Sequence, residues 1–257
     1  MKIGNLFSLK GKCIVVTGAT GLIGECIVNA ILQSGASVLA IGRHTPTKLR
    51  DQSSQEQERF RFIKCDLSKE ADLEKIILEI DNSNEIINGL LHLAVMRDGQ
   101  NSFKNYHSTF HSSVYKNSYA HFRLWDFFSK HMASNSGGSL VNMSSIYGTV
   151  APDFSIYDGT NLHTEPDYAF IKAGGVALTN YYASLYGENG VRSNSIILGG
   201  IKNDQPEIFS QRYAERTCLK RMGNSTDAIG GCIFLLSDAS NYITGTQIAI
   251  DGGLITK

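Results

Sequence analysis

Short runs rich in β-branched residues alternate along this chain with longer stretches whose apolar residues return every three or four positions. The run 12–17 is apolar from Cys13 to Val16 and ends on the β-branched Thr17, as suits a strand covered on both faces. Residues 22–34 follow with Ile23, Ile27, Ala30 and Ile31 at helical spacing. Gly35 and Ala36 end that helix, and 37–41 reads as a second strand. Residues 43–59 are polar and turn-rich, which predicts a loop carrying a short helix. A third strand over 60–65, a helix over 69–80 and a fourth strand over 87–94 continue the alternation. A long helix over 106–132 leads through a turn at 135–138 into a fifth strand over 139–143. A helix over 168–186, a sixth strand over 193–198, a helix over 227–236 and a last strand over 247–250 complete the pattern. Strands and helices in regular turn predict an α/β fold, a doubly wound parallel sheet of Rossmann-like type with helices on both faces. No repeat, linker or low-complexity tract interrupts residues 1–257, so one domain is expected.

Composition narrows what such a sheet serves. Hydrophobic residues make up 42% of the chain and charged residues 19%, enough apolar surface for a sizeable core. Lys+Arg and Asp+Glu number 24 each. That balance argues against nucleic acid or an anionic membrane as a partner held by bulk charge. No run approaches the ~20 apolar residues of a membrane span, and the start carries no signal-peptide pattern, so a cytoplasmic location is expected. The five cysteines, Cys13, Cys26, Cys65, Cys218 and Cys232, form no C-x-x-C pair. Their odd number and wide spacing predict reduced thiols and no zinc site.

The chemistry begins at Thr17-Gly18-Ala19-Thr20-Gly21-Leu22-Ile23-Gly24, between the first predicted strand and the first predicted helix. A glycine turn there lets a pyrophosphate approach the backbone. The helix start adds unpaired N–H groups and a positive dipole end. Asp66 stands at the end of the third strand. A carboxylate at the end of the second strand would take ribose hydroxyls and repel a 2′-phosphate. This chain has Ile41-Gly42-Arg43-His44 instead. Arg43 suits a bidentate grip on phosphate, which favours NADP over NAD; its guanidinium also suits stacking on adenine with either cofactor.

With these residues the sequence resembles the short-chain dehydrogenase/reductase family over nearly its whole length. The glycine loop matches at Thr17, Gly18, Gly21 and Gly24, and the acid after the third strand in Cys65-Asp66-Leu67. The helix asparagine matches Asn117, the serine strand Asn142-Met143-Ser144-Ser145, and the Y-x-x-x-K element Tyr168 and Lys172. Segments 191–201 and 237–253 also fit. The resemblance implies a dinucleotide held by Gly18, Thr20, Gly21, Leu22, Ile23, Gly24, Arg43, Asp66, Leu67, Ala94, Tyr168, Lys172, Ile201 and Asn203. It implies catalysis by Asn117, Ser145, Tyr168 and Lys172, and a homodimer or homotetramer. The chain departs from the family pattern at four places. Leu22 replaces a glycine, His92-Leu93-Ala94-Val95 replaces N-N-A-G, Leu198 replaces a proline, and Asn203 replaces a threonine. The first two are closer to the family's nucleotide-sugar-modifying branch.

Hydride transfer at a carbinol carbon needs a proton to leave or reach the oxygen. A free tyrosine titrates near ~10 and needs help to act as a base at neutral pH. Lys172, four residues after Tyr168, shares its helix face and favours tyrosinate. By the resemblance, Lys172 also holds the nicotinamide ribose, Ser145 hydrogen-bonds the substrate oxygen, and Asn117 anchors a water in a proton relay. Ser144 and Tyr147 compete for the serine and tyrosine roles.

Ser145 and Tyr168 are separated by 22 residues, more than the family usually places there. The excess falls in 149–167, which mixes aromatic, hydroxyl and carboxylate side chains. It leaves the carboxyl end of a strand, where ligands bind in such sheets. That lining suits a polar, polyhydroxylated small molecule; the alternatives are a subunit contact and a plain surface insertion. The loop resembles one in short-chain enzymes of bacterial surface-sugar and flagellin glycan synthesis. Trp125, Phe127 and Phe128 suit core or subunit packing. His107, His111, His121 and His131 suit a polar surface or interface. Arg97 and Asp98 face either the site or a solvated turn.

These residues together predict an NAD(P)-dependent oxidoreductase acting on a secondary alcohol or ketone, with sugars as candidate substrates. A nucleotide-sugar epimerase or dehydratase with retained cofactor is the first rival; length and the C-terminal pattern oppose it. A non-catalytic dinucleotide-binding protein is the second; the intact Asn117, Ser145, Tyr168 and Lys172 set opposes that.

Overall fold

All seven predicted strands form: β1 (Cys13–Thr17), β2 (Ser37–Gly42), β3 (Phe60–Lys64), β4 (Gly89–His92), β5 (Gly138–Ser145), β6 (Val191–Leu198) and β7 (Gln247–Ile250). In the computed structural model, which describes residues 3–45, 53–83, 85–96 and 106–256, they pair in parallel in the order β3-β2-β1-β4-β5-β6-β7. The chain runs outward from β1 to β3 and then returns to β4 on the other flank of β1. Val15 pairs with Leu39 on one side and Leu90 on the other. That reversal is the switch point beyond whose carboxyl ends a crevice opens.

The helices are α1 (Ile3–Leu6), α2 (Leu22–Gln33), α3 (Ser54–Glu58), α4 (Glu70–Asn82), α5 (Tyr106–Ser134), α6 (Pro166–Tyr186), α7 (Glu207–Arg216) and α8 (Ile229–Leu236). Successive strand residues point to opposite faces, which splits the core in two. Ile14 and Val16 join Ile27 and Ile31 of α2 and Leu235 of α8 on one face. Cys13 and Val15 join Ile76 of α4 and Leu124, Trp125 and Phe128 of α5 on the other. Trp125 and Phe128 are fully buried, so core packing is their role. Burying Phe128 contributes roughly 1.5–3 kcal/mol. The Trp125 indole N–H is satisfied by Ser193 Oγ at 3.0 Å.

Several boundaries move for physical reasons. The inward face of α2 is Gly24, Ile27, Val28, Ile31 and Leu32, so Ala30 and Ile23 flank it. Helix α5 is continuous through Ser134. Strand β5 extends to Ser145 because Ser144 and Ser145 keep their pairing with Ile197 and Leu198 of β6. The two candidate serines therefore sit on the strand and not in a loop. Helix α7 goes beyond the predicted elements; its buried residues are Phe209, Ser210 and Tyr213 in an otherwise polar stretch. His121, expected at a polar surface or interface, is instead buried 4.1 Å from the Trp125 ring and 5.0 Å from His92. His131 Nε2 accepts a hydrogen bond from Ile87 N–H at 3.1 Å. Arg97, Asp98 and the His107 side chain lie outside the described residues.

Candidate active site

The first cleft lies over the carboxyl ends of β1, β2 and β4 and has a volume of about 330 Å³. Gly18 turns the chain out of β1 at φ +68°, and a Cβ there would stand 2.8 Å from Ala94 N. A Cβ on Gly24 would stand 2.2 Å from Gly18 O. Both positions need glycine because backbone passes over backbone. Gly21 caps α2 without any side-chain hydrogen bond, so the first-turn N–H groups have no side-chain competitor for an anion. Gly18, Thr20, Gly21, Arg43, Asp66, Leu67 and Ala94 all line this cleft. A pyrophosphate-bearing dinucleotide fits that donor set.

Asp66 accepts hydrogen bonds from Ser68 N–H at 3.1 Å and Ser68 Oγ at 2.8 Å. Burial alone would raise its carboxyl; the Ser68 bonds and the nearby Arg43 charge outweigh that and hold it below the usual range. The floor is locked between β1 and β4, where Thr17 Oγ1 and His92 Nδ1 are 2.7 Å apart. Ala94 N–H donates to the same Thr17 hydroxyl at 3.4 Å. His92 thus ties the two strands at the position of its unusual motif.

A second cleft of about 380 Å³ adjoins the first, and the two share Leu93 and Val95 in their walls. Ser145, Tyr168, Lys172, Ile23 and Ile201 line it. Tyr168 and Lys172 lie on one face of α6, with Lys172 Nζ 5.7 Å from the Tyr168 ring centroid. The buried Lys172 ammonium donates to Met143 O at 2.7 Å. Ser144 Oγ donates to Lys172 O at 2.9 Å, fastening α6 to β5. Ser145 Oγ accepts from Tyr147 N–H at 3.3 Å, which orients its hydroxyl at the cleft. The neighbouring serines therefore differ: one braces a helix and the other caps a turn at the cavity. Tyr147 pairs with Tyr157 through their hydroxyls at 2.7 Å. Burial, then that hydrogen bond, pushes the Tyr147 phenol far up, so it stays protonated at neutral pH.

Asn117 is buried behind the junction of the clefts. Its Oδ1 accepts from Met96 N–H at 2.8 Å, and its Nδ2 donates to Met96 O and Ser113 O at 2.8 Å each. Three of its four hydrogen-bonding positions are thereby occupied, and the segment after β4 is held in place. Three expected cofactor residues lie apart from both linings. Leu22 is exposed, Gly24 is buried beneath the loop, and Asn203 is exposed with its N–H on Gln205 Oε1 at 2.6 Å. Gln205 lines the second cleft in its place, with Nε2 on Ile201 O at 2.9 Å. Phe209, Tyr213 and Met222 also line it, and no sequence motif marks them. The spacing of Phe209 and Tyr213, four apart just after Pro206, is the signal that could have found them.

The chain matches the family described as Enoyl-(Acyl carrier protein) reductase over residues 18–255. It is 28% identical over 254 residues to "Post-translational flagellin modification protein A" of Campylobacter coli, covering 95% of this chain and 98% of that protein. It is 28% identical over 259 residues to "Probable galactose dehydrogenase GalD" of Rhizobium meliloti, covering 96% of each. Among solved structures, a short-chain dehydrogenase from Leptospira borgpetersenii with bound NAD+ superposes with a TM-score of 0.88 at 30% identity, over 99% of this chain and 97% of that one. With the glycine-loop cleft, the serine strand and the Tyr168–Lys172 helix face joined in one crevice, the chain belongs to the short-chain dehydrogenase/reductase family of oxidoreductases that use a nicotinamide dinucleotide.

Proposed function

We propose that this protein interconverts a secondary alcohol and a ketone on a sugar or sugar derivative, with Tyr168 as the acid/base. The observation that carries the reading is the second cleft, where Tyr168, Lys172 and Ser145 gather directly beside the glycine-loop cleft. A nicotinamide dinucleotide supplies a two-electron hydride acceptor or donor when bound. Gly18, Thr20, Gly21, Asp66, Leu67 and Ala94 would hold its adenosine and phosphates, and Ile23, Lys172 and Ile201 its nicotinamide end. In the oxidative direction the alcohol carbon gives up hydride, the alcohol O–H proton passes to Tyr168, and the ketone remains. The Lys172 ammonium, anchored on Met143 O, stabilises negative charge on the Tyr168 oxygen. Ser145 Oγ holds the substrate oxygen, and Asn117 positions the wall through Met96 and supports a proton relay.

Arg43 in the cleft wall and the lack of an acid in Ile41-Gly42-Arg43-His44 favour NADP over NAD in this chain, although the Leptospira relative holds NAD+. The galactose dehydrogenase relative supports a carbohydrate substrate. Exposed Tyr115 and Phe122 on α5, with Phe170, Tyr181 and Leu185 on α6, support a homodimer or homotetramer. A relative named as a probable galactose dehydrogenase and covering 96% of the chain favours net oxidation or reduction over epimerisation. No helix among the described residues is long and apolar enough to cross a membrane.

The test is Tyr168→Phe. Turnover should fall by roughly 10²–10⁴-fold while dinucleotide affinity is kept. Unchanged turnover would remove Tyr168 from the mechanism.

A further inference from the structure

The insertion and α7 form one wall of the second cleft. Arg216 pairs with Asp153 at 2.8 Å and donates to Ser155 Oγ at 3.1 Å. Arg212 donates to the carbonyls of Asp158 and Ser155. The Tyr157 ring stands edge-on to Phe209 of α7, with centroids 5.3 Å apart and planes at 60°. The two arginines of α7 thus hold the outer side of the insertion. The inner side presents the Tyr157 hydroxyl, beside that of Tyr147, and the His163 imidazole. His163 Nε2 lies 3.5 Å from Glu165 Oε1, and both side chains are largely covered.

Hydroxyls, an imidazole and the Gln205 amide each combine donor and acceptor capacity, the complement of a chain of alcohol groups. A carboxylate or phosphate entering the same space would meet the Glu165 charge behind His163. Lys172, the cation that lines the cleft, stands at the Tyr168 end, where its charge is matched by the tyrosinate it stabilises. Burying an anion at the far end, against the His163–Glu165 side of the insertion, is costly. We propose that Tyr157 and His163 are specificity-determining residues that hydrogen-bond the hydroxyls of an uncharged polyhydroxylated alcohol or ketone, and that the cleft discriminates against sugar acids. This rests on the oxidoreductase reading above and names the substrate class for the same site.

The experiment is steady-state kinetics of the purified full chain with NADP+ and NAD+ on alditols and aldoses, each matched with its aldonate. Ketoses are tested in the reverse direction. Wild type should show the higher kcat/KM for the uncharged member of each pair. Tyr157→Phe and His163→Asn should each raise the KM for that member by roughly 3–10-fold, the loss of one neutral hydrogen bond, with kcat and the dinucleotide KM unmoved. Thermal melts identify any variant that fails to fold; the other variant and the wild-type ranking then carry the test. Preference for the aldonate, or an unmoved KM in folded variants, would overturn the inference and leave the oxidoreductase reading standing. Absence of turnover on every pair, with dinucleotide bound, would overturn the oxidoreductase reading and this inference with it.

Discussion

The two clefts meet at Leu93 and Val95 but are built by different means. The cofactor side, over β1, β2 and β4, depends on main chain passing close to main chain. Gly18 turns beside Ala94, and Gly24 lies under the Gly18 carbonyl. The substrate side is made of side chains from β5, the insertion, α6, α7 and the segment after β6. A site made of backbone is sensitive to a single added methyl group and tolerant of side-chain chemistry elsewhere. A site made of side chains shows the reverse. The contrast explains why the phosphate turn of one side is written in eight consecutive residues while the lining of the other is gathered from Ile23 to Met222.

The sharpest test of the contrast lies on the substrate side. Loss of one oxygen in Tyr168→Phe should remove nearly all turnover while the melting temperature stays near wild type, measured by stopped assay and calorimetry. A large fall in stability would show that Tyr168 is structural. On the cofactor side, Gly24→Ala should destabilise the fold by about 3 kcal/mol or more, because its Cβ would lie 2.2 Å from a carbonyl oxygen. Gly21→Ala, whose Cβ would lie 3.5 Å from Gly18 O, should fold normally and weaken only dinucleotide binding. Equal melting temperatures for the two variants would refute the backbone account.

Arg43→Ala should weaken NADPH binding by roughly 10–100-fold, the value of a charge-assisted hydrogen bond, and leave NADH nearly unchanged. Fluorescence titration of both cofactors reads this directly. Parallel loss of both would mean that Arg43 stacks on adenine and reads no phosphate.

An effect that is negligible at neutral pH and grows with acid comes from the histidines at the seam between the halves. Burial, with the Lys172 charge adding to it, lowers the His92 imidazole from 6.5 to about 3, and burial lowers His121 in the same direction. The unfolded chain takes up protons near pH 6.5 that the folded chain refuses. Stability from these neutral rings is therefore fully present above about 6.5 and is lost as the pH falls toward 3, by at most about 1.4 kcal/mol per pH unit for each group. Melting curves between those limits should fall with acid, and His92→Asn should make the fall shallower. The smallest effect concerns the thiols. Burial pushes Cys13 up to about 12, with Glu85 adding to it, and Cys65 up to about 11; fully buried Cys232 is raised too. A maleimide should label exposed Cys218 first and half-buried Cys26 next, with dinucleotide binding retained after the first. Rapid labelling of Cys65, which lines the cofactor cleft, would show that this wall opens.

Much of the fold and half of the site are legible in the order of the amino acids. A strand buried on both faces announces itself as an unbroken apolar run, and a surface helix by its period, because both signals are local. The glycine loop is largely local: Gly18 turns at positive φ and Gly24 lies under the Gly18 carbonyl within one strand–loop–helix unit, and only the approach of Ala94 to Gly18 comes from elsewhere. The Tyr168–Lys172 face follows from helix geometry alone. Other features need the tertiary structure. Ser144 and Ser145 have the same chemistry and adjacent positions, and only packing against α6 makes one of them a brace. His121 reads as a surface residue until Trp125 covers it. Helix α7 leaves little trace in the sequence because its partners in the insertion lie far away along the chain, and Gln205 and the Tyr147–Tyr157 pair follow no regular period. The chain by itself determined the alternation of strands and helices, the phosphate-binding turn and the acid/base helix face, all of which depend on interactions within a few residues. The fold alone decided which residues share a cavity, since that depends on contacts between segments that no local pattern records.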